Sequence, residues 1–558
     1  MTATVTPDTP ARLQPRPDNP VPADHRSEVG RRTAAWFDRY APERAAWKAR
    51  NCYYYQEIER LARATIPPGA RVLELGCGTG DLLAAMRPAF GVGVDISEQM
   101  VRVARRRYGR PSSGPSASGP SAAGPSNAAA DPPVGDGRLL FLRGDAHAIP
   151  LRTTFDYVIC SDLLGHLEDI QVVLDALHAA CAPQTKVLIT YWNFVWHGVM
   201  WLAERMGWKM PEAQLNWLGM ADVDNLLLLT DFATLERGAS LLLPKPVPVL
   251  APLVNRVAIH VPGLRHLALV THWVVQPKAP PPASEALSCS VIVPCRNEEG
   301  NIAACVDRLP PLGTHTELIF VDGASTDRTR VRILEQIACH AGRRDIKLID
   351  QVPAAAAPPS SDGQPVRMLQ LGKGDAVRKG FAAATGEVVF ILDADLTVPP
   401  EDLPKFLAPI ATGKADFVNG TRLVYPLEDE AMMPVRFFGN KLFSLIFTWL
   451  LEQPIKDTLC GTKVLRKRDY DQLAANRSSF GDFDPFGDFD LLFGAARLGL
   501  RIVEVPVRYR RRASGYSKVQ VLQHGPLLLR MSVIGFRRLK LPRWLGRAPA
   551  RPVIPSTM

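Results

Sequence analysis

The run Val72-Leu73-Glu74-Leu75-Gly76-Cys77-Gly78-Thr79-Gly80-Asp81 decides how the first half of the chain is read. An apolar strand enters a turn with three glycines and then helix-compatible sequence, so backbone can approach a ligand where side chains would collide. A dinucleotide's pyrophosphate would favour a glycine turn free of negative charge, whereas Glu74 beside this turn suits a cationic ligand carrying an ammonium and a sulfonium. Asp95 ends the next strand, where a carboxylate can accept from both hydroxyls of a ribose.

Outward from that turn, strand-like segments at Val72–Leu75, Val92–Asp95, Leu139–Leu142, Phe155–Cys160 and Lys186–Tyr191 alternate with helix-like sequence. This rhythm predicts a doubly wound, Rossmann-like α/β sheet. It restarts at Ser290–Pro294, Leu318–Asp322, Lys347–Asp350 and Val388–Asp393, which predicts a second α/β domain. A chain of 558 residues exceeds what one core sustains, in keeping with two domains. The expected organisation is a disordered leader over 1–28, a first domain over 29–275, a linker over 276–287, a second domain over 288–525 and a basic tail over 526–558. Segments 110–137 and 352–365, built largely from Pro, Ser, Gly and Ala, bury little and read as surface insertions.

In the second half, Leu392-Asp393-Ala394-Asp395 closes a Val-Val-Phe-Ile strand and offers two carboxylates on one side of a turn. A hard divalent ion bridging a diphosphate requires that arrangement, so Asp393 and Asp395 are the expected ligands of Mg²⁺ or Mn²⁺. A solvated turn uses the same residue types, and the reading gains its strength from the motifs around it.

Glu74, Gly76, Gly78, Gly80 and Asp95 resemble the cofactor-binding motifs of the class I S-adenosylmethionine-dependent methyltransferases, type 11-like. The resemblance covers roughly residues 30–200 and implies that Asp145, in Gly144-Asp145-Ala146, contacts the adenine. It also places the acceptor near Cys160-Ser161-Asp162-Leu163-Leu164-Gly165-His166, where His166 is a candidate base or a packing residue. Trp192, Trp196, Trp201, Trp208 and Trp217 either roof an apolar acceptor pocket or pack a helical cap, with packing the favoured reading.

Segments Ser290–Glu299, Phe320–Asp327 and Gly372–Gly386, together with Asp393, resemble the family 2 glycosyltransferases of GT-A fold, particularly the dolichyl and polyprenyl-phosphate sugar synthases. That likeness implies a UDP- or GDP-sugar donor, with Pro294, Asn297 and Glu298 lining the nucleotide pocket, Asp322 on the base or ribose, and Lys373 near the diphosphate. Asp490 is the candidate general base, and Arg512 and Lys518, in Arg512-Ala513-Ser514-Gly515-Tyr516-Ser517-Lys518, would close over the diphosphate. The implied acceptor is a lipid phosphate or a glycan. Gly323 stands where many relatives carry a second aspartate, and Thr397 where the dolichyl-phosphate enzymes often carry glutamine.

The formal net charge of +10 is concentrated at one end: from Val505 onward there are twelve Lys and Arg and no acid. Because this tail lacks a repeated aromatic-basic platform, nucleic acid is not an expected partner, whereas an anionic membrane surface is. The apolar run Phe437–Leu451, interrupted by Lys441, predicts a helix buried on all sides or lying at an interface rather than spanning. Nine scattered cysteines and no secretory layout fit a cytoplasmic protein able to meet the cytoplasmic face of the membrane. The expected function is a bifunctional enzyme joining methyl transfer to metal-dependent sugar transfer. The alternative is a glycosyltransferase carrying a catalytically silent, S-adenosylmethionine-binding or scaffolding domain.

Overall fold

The structure, a computed structural model, describes residues 27–109, 138–212, 216–261, 263–279, 284–351, 372–426, 434–475, 488–509 and 521–544. Insertions 110–137 and 352–365, residues 1–26, Arg512, Lys518 and the tail beyond Trp544 lie outside these ranges. The chain divides into two compact units at Pro280 and Pro281, within the expected linker. Each unit is a seven-stranded mixed α/β sheet.

In the N-terminal unit the strands are β1 (Arg71–Leu75), β2 (Phe90–Asp95), β3 (Arg138–Arg143), β4 (Phe155–Ser161), β5 (Cys181–Trp192), β6 (Phe232–Ser240) and β7 (Val270–Pro277). Their order is β3-β2-β1-β4-β5-β7-β6. The first five run parallel, and β7 pairs antiparallel with both β5 and β6. Winding therefore proceeds outward from β1 to β3, then reverses and resumes at β4 on the other side of β1. Central strands are buried on both faces, so β1 reads as a continuous apolar run broken only by Glu74, and Val72, Leu83, Phe141, Ile159 and Leu188 share one core. Helices are started by side-chain caps: Ser97 Oγ accepts from Met100 N at 3.1 Å, and Asp169 Oδ1 from Val172 N at 3.1 Å.

The C-terminal unit comprises β8 (Ser288–Cys295), β9 (His315–Asp322), β10 (Asp345–Asp350), β11 (Val388–Ile391), β12 (Phe417–Thr421), β13 (Lys463–Arg466) and β14 (Ile502–Pro506), in the order β10-β9-β8-β11-β13-β12-β14. Strands β8 to β11 pair in parallel, and β13 is antiparallel to β11 and β12. Here the winding reverses between β8 and β11.

Of the two expectations for helix Pro434–Leu451, burial on all sides is not met. Phe447, Leu450 and Leu451 enter the core with Phe489, Phe493 and Met531, while Leu442, Leu445 and Trp449 remain exposed. Helices Asp488–Leu498 and Val521–Gly535 supply that core's other residues. Among the described residues no helix is long and apolar enough to cross a membrane, and all nine cysteines are unpaired.

Gly80 starts helix Asp81–Ala85 at φ 78°, and a Cβ there would lie 2.6 Å from Phe141 Cε1. Gly80→Ala combines a left-handed backbone penalty with overpacking, and should destabilise the N-terminal unit by about 2–4 kcal/mol. Urea unfolding checks this; an unchanged midpoint would show that the turn relaxes freely.

Candidate active sites

In an open α/β sheet, loops diverge at the carboxyl ends of the strands flanking a winding reversal, leaving a crevice. In the N-terminal unit a cavity of about 390 Å³ occupies that place. Gly76, Gly78, Asp95, Asp145, Asp162 and His166 all line it. Asp95 is fixed by its neighbours: Oδ2 accepts from Gly78 N at 2.8 Å and Oδ1 from Ser97 N at 2.8 Å. Each carboxylate oxygen has a second lone-pair direction, so the group retains acceptor capacity for hydroxyl donors. Asp145 Oδ1 accepts from His147 N at 2.9 Å and pairs with His147 Nδ1 at 2.7 Å.

Glu74 and Gly80, the other two cofactor candidates, are not on the cavity wall. Glu74 is buried beneath the turn, where Oε2 accepts from Leu83 N at 3.0 Å. Burial pushes its carboxyl up to about 8, against the opposing pull of Lys48. Lys48 itself pairs with Asp81 at 2.5 Å.

Across the cavity, Asp162 follows β4 at φ 52° and accepts from Tyr54 Oη at 2.7 Å. Burial raises its carboxyl to about 6. Burial also lowers His166, which is therefore neutral near pH 7 and packs edge-on against Phe37. Among the described residues Asp162 Oδ1, His166 Nδ1 and Glu212 Oε2 are buried without hydrogen-bond partners, Glu212 pairing with Lys209 through Oε1 at 2.5 Å, and all three residues line this cavity. Buried polar atoms are rarely left unpaired, so the three mark where a ligand's polar groups would be received. The sequence offered a positional signal for Asp162, directly after a parallel strand, but none for Glu212 or Tyr54. Of the five tryptophans, Trp192, Trp196 and Trp208 line the cavity, Trp217 packs on Phe194, and Trp201 projects outward half exposed.

In the C-terminal unit the loops after β8 and β9 are zipped together. Asn297, at φ 54°, donates its N–H to Ser325 Oγ at 3.0 Å, and its Oδ1 accepts from Thr326 N at 2.8 Å. Glu298 N donates to Thr329 Oγ1 at 2.8 Å, while its Oε2 accepts from Asn301 Nδ2 at 2.8 Å. Pro294 lies near the end of β8 and Asp322 ends β9, accepting from Ser325 Oγ at 2.5 Å. At Gly323 a Cβ would meet Gln351 Oε1 at 3.0 Å, so an aspartate there would require Gln351 to shift.

Asp393 lies just beyond β11 and pairs with Lys373 Nζ at 2.5 Å. Burial opposes its ionisation, but Lys373, with Lys463 and Arg422 further off, holds it below the usual carboxylate range. Asp395 Oδ1 accepts from Thr397 N at 3.1 Å and Thr397 Oγ1 at 2.8 Å. Among the described residues no group of three or more His, Cys, Asp or Glu converges, so a divalent ion on Asp393 and Asp395 would complete its coordination from bound phosphate and water. Asp490 is partly buried in the first turn of helix Asp488–Leu498.

The segment Asp457–Lys463 resembles the acceptor-side turn of the family 2 glycosyltransferases, but three contacts that it makes were not foreseen. Arg422 and Asp457 form a buried two-pronged pair at 2.7 and 2.9 Å, which raises the one and lowers the other. Lys463, fully buried on β13, donates to Cys460 O. Gly461 admits no side chain, since a Cβ would lie 2.0 Å from Asp393 Oδ2 and 2.5 Å from Lys373 Nζ. The sequence marked the segment as a whole, and only chain folding brings Gly461 against Asp393.

Comparison with known proteins agrees with this division. A family model described as a methyltransferase domain matches residues 46–235, and one described as glycosyl transferase family 2 matches 290–352 and 366–473. The chain carries a methyltransferase domain followed by a family 2 glycosyl transferase domain, both of transferase families. Dolichol-phosphate mannosyltransferase of Pyrococcus furiosus is 30% identical over 244 residues, 42% of this chain and 60% of that protein. Glucosyl-3-phosphoglycerate synthase of Mycolicibacterium smegmatis is 35% identical over 133 residues, 23% of this chain and 38% of that protein. The matches thus span 60% and 38% of these relatives' lengths.

Among solved structures, glucosyl-3-phosphoglycerate synthase from Mycobacterium tuberculosis, in complex with Mn²⁺, uridine diphosphate and glucosyl-3-phosphoglycerate, is 21% identical. That match covers 46% of this chain and 81% of that one, with a TM-score of 0.32. The complex of the Haloferax volcanii Trm112 activator with a putative methyltransferase is 17% identical, covering 45% and 100% with a TM-score of 0.32.

The raised carboxyls have a consequence for stability. Between about pH 4.5 and 8 the folded N-terminal unit holds a proton on Glu74 that the unfolded chain releases, so stability falls as pH rises through that window. Asp162 adds a fall of the same sign, ending near pH 6. Thermal melts from about pH 5 to about pH 8 should show a declining melting temperature that is flatter in Glu74→Gln. Equal slopes in the two proteins would mean that Glu74 is ionised in the folded state.

Proposed function

We propose that the chain is a bifunctional transferase. In this reading the N-terminal unit binds S-adenosylmethionine, with Gly76 and Gly78 beneath it, Asp95 on the ribose hydroxyls and Asp145 toward the adenine. The cofactor supplies an electrophilic methyl group, and an acceptor lies over the carboxyl end of β4. There Asp162 and Glu212 orient donor groups, and neutral His166 offers Nδ1 to the proton the acceptor loses. The observation that carries this half is the set of three unpartnered buried atoms in the same cavity as the glycine turn and Asp95.

The C-terminal unit, in the same reading, transfers a sugar from a UDP- or GDP-sugar. Pro294, Asn297, Glu298 and Asp322 hold the nucleotide, Asp393 and Asp395 carry Mg²⁺ or Mn²⁺, and Lys373 faces the diphosphate. Support comes from the ionised Asp393 beside Lys373, in the field of Lys463 and Arg422, a setting that favours an anionic leaving group. Arg512 and Lys518 would add positive charge over it. Asp490 takes the acceptor's proton, or orients an acceptor already ionised, as a phosphate with a second pKa of ~6 would be.

The acceptor is a lipid phosphate or a glycan; the curated relatives act, by name, on dolichol phosphate in one case and form a glucosyl-phosphoglycerate in the other. A lipid acceptor suits the exposed apolar side of helix Pro434–Leu451 and its neighbours Leu529, Val533 and Trp544, with Arg530, Arg537 and Arg538 nearby in sequence. In this reading the chain is cytoplasmic and meets the membrane peripherally.

The test is transfer by the purified chain with Mn²⁺ or Mg²⁺, screening UDP- and GDP-sugars against a polyprenyl phosphate and a phosphoglycerate. Metal-dependent product should form and fall at least ~100-fold in Asp395→Ala. Transfer unaffected by chelator or by that substitution would overturn the metal assignment. Calorimetry with S-adenosylmethionine, lost in Asp95→Ala, checks the first unit; binding without methyl transfer to any acceptor or product of the second unit would favour a silent binding domain.

A further inference from the structure

The N-terminal unit carries an apolar surface that its own core uses only in part, through Trp196 and Met200. Helix His197–Arg205 contains Val199, Met200, Trp201 and Leu202, yet none of its nine residues is buried. A helix this short is marginal in water unless an apolar face is covered. A second exposed segment follows at 247–267, where Leu253 and Val257 project and helix Leu250–Arg256 contributes Ala251 to the interior. Trp201, Leu253 and Val257 are 51%, 55% and 59% exposed. The two segments are tied together, since Trp196 Nε1 donates to Leu267 O at 2.8 Å and Asn193 Nδ2 to His266 O at 2.7 Å. Exposed apolar residues on two segments joined in this way suit an interaction site.

The charge pattern selects the occupant. From Leu241 to Leu269 the chain has Lys245, Arg256 and Arg265 and neither Asp nor Glu. Arg205 lies over the Trp201 ring at 5.1 Å, an amphipathic pair suited to headgroup depth. Short helices with exposed Trp, Leu and Val among basic residues are built to rest in the boundary between headgroups and acyl chains of an anionic bilayer.

The surface also reaches the cavity. Val199 is exposed and lines the cavity, as do Trp196, Met200 and Lys245 around it. We propose that residues 195–208, 247–261 and 263–267 form a membrane-docking surface, and that the methyl acceptor is an amphiphile whose headgroup enters the cavity while its apolar part stays in the bilayer. The acceptor clause rests on the methyl-transfer reading above: the methyl group leaves the sulfonium for a headgroup oxygen or nitrogen, and the proton from that atom passes to His166 Nδ1.

Flotation of the full chain with phosphatidylcholine vesicles containing about one third phosphatidylglycerol tests the docking clause. The wild type should float, and Trp201→Glu/Leu253→Glu/Val257→Glu should lower the bound fraction at least about ten-fold. S-adenosylmethionine binding and donor hydrolysis, unchanged in the variant, show that it is folded. Equal flotation of both proteins, or no flotation of the wild type, overturns the surface. A wild-type self-association abolished by the triple variant overturns it too, by making a second copy the occupant.

Methyl label from S-adenosylmethionine should enter the organic phase of a membrane-lipid extract; label confined to water-soluble product overturns the acceptor clause. If the wild type binds no S-adenosylmethionine, the methyl-transfer reading and the acceptor clause fall together, while flotation still decides the docking surface.

Discussion

Both units depend on one geometric constraint, the reversal of winding in a parallel sheet. Right-handed crossovers carry successive strands to one side, from β1 to β3 and from β8 to β10, and the chain must then return to build on the other side. Loops leaving β1 and β4, or β8 and β11, consequently part in opposite directions. The chain does not have to carve a pocket from a packed core, because topology leaves the crevice open and side chains only furnish it. Asp95, Asp145 and Asp162 are placed on one such crevice, and Asp393 and Asp395 on the other, by strand ends whose positions the core fixes.

The two sites differ in how their carboxylates are compensated, although Arg44, Lys209 and Lys245 also line the first. Around the first, Asp95, Asp162 and Glu212 present acceptors, and burial makes the carboxyls of Asp95 and Asp162 reluctant to ionise without a partner. Around the second, Lys373, Lys463 and Arg422 keep Asp393 charged. Hydrogen-bond donors would relieve Asp95 and Asp162 in the first, and an anionic ligand would meet Lys373 in the second.

Legibility in the sequence followed the range of the interactions. The glycine turn, Asp95, Asp393 and the parallel strands are local: strand, turn and helix lie within a few residues, and buried parallel strands are continuous apolar runs. Antiparallel β7 and β13 were not legible, because their partners are set by folding rather than by spacing. The Arg422–Asp457 pair, 35 residues apart, had no local signature. Helix Pro434–Leu451 left two readings open, burial all round or an interface, because its residues are apolar all round; among the described residues Phe447, Leu450 and Leu451 are buried and Leu442, Leu445 and Trp449 are exposed.

That exposed side and the cap around Trp201 pose the same physical question in separate units. Apolar side chains in water cost on the order of 25 cal/mol per Å², and a soluble fold ordinarily removes them by placing polar residues there. Here basic side chains lie over the exposed aromatic rings: Lys540, which also pairs with Glu452, lies 5.2 Å from the Trp449 ring, and Arg205 lies over Trp201. Basic residues flanking aromatic ones do not mask an apolar surface from a protein partner of either charge, but they match an anionic lipid boundary at both depths. A lipid-phosphate sugar acceptor and an amphiphilic methyl acceptor would each be delivered from that boundary, so one substrate phase would account for exposed apolar faces on two domains with different chemistry.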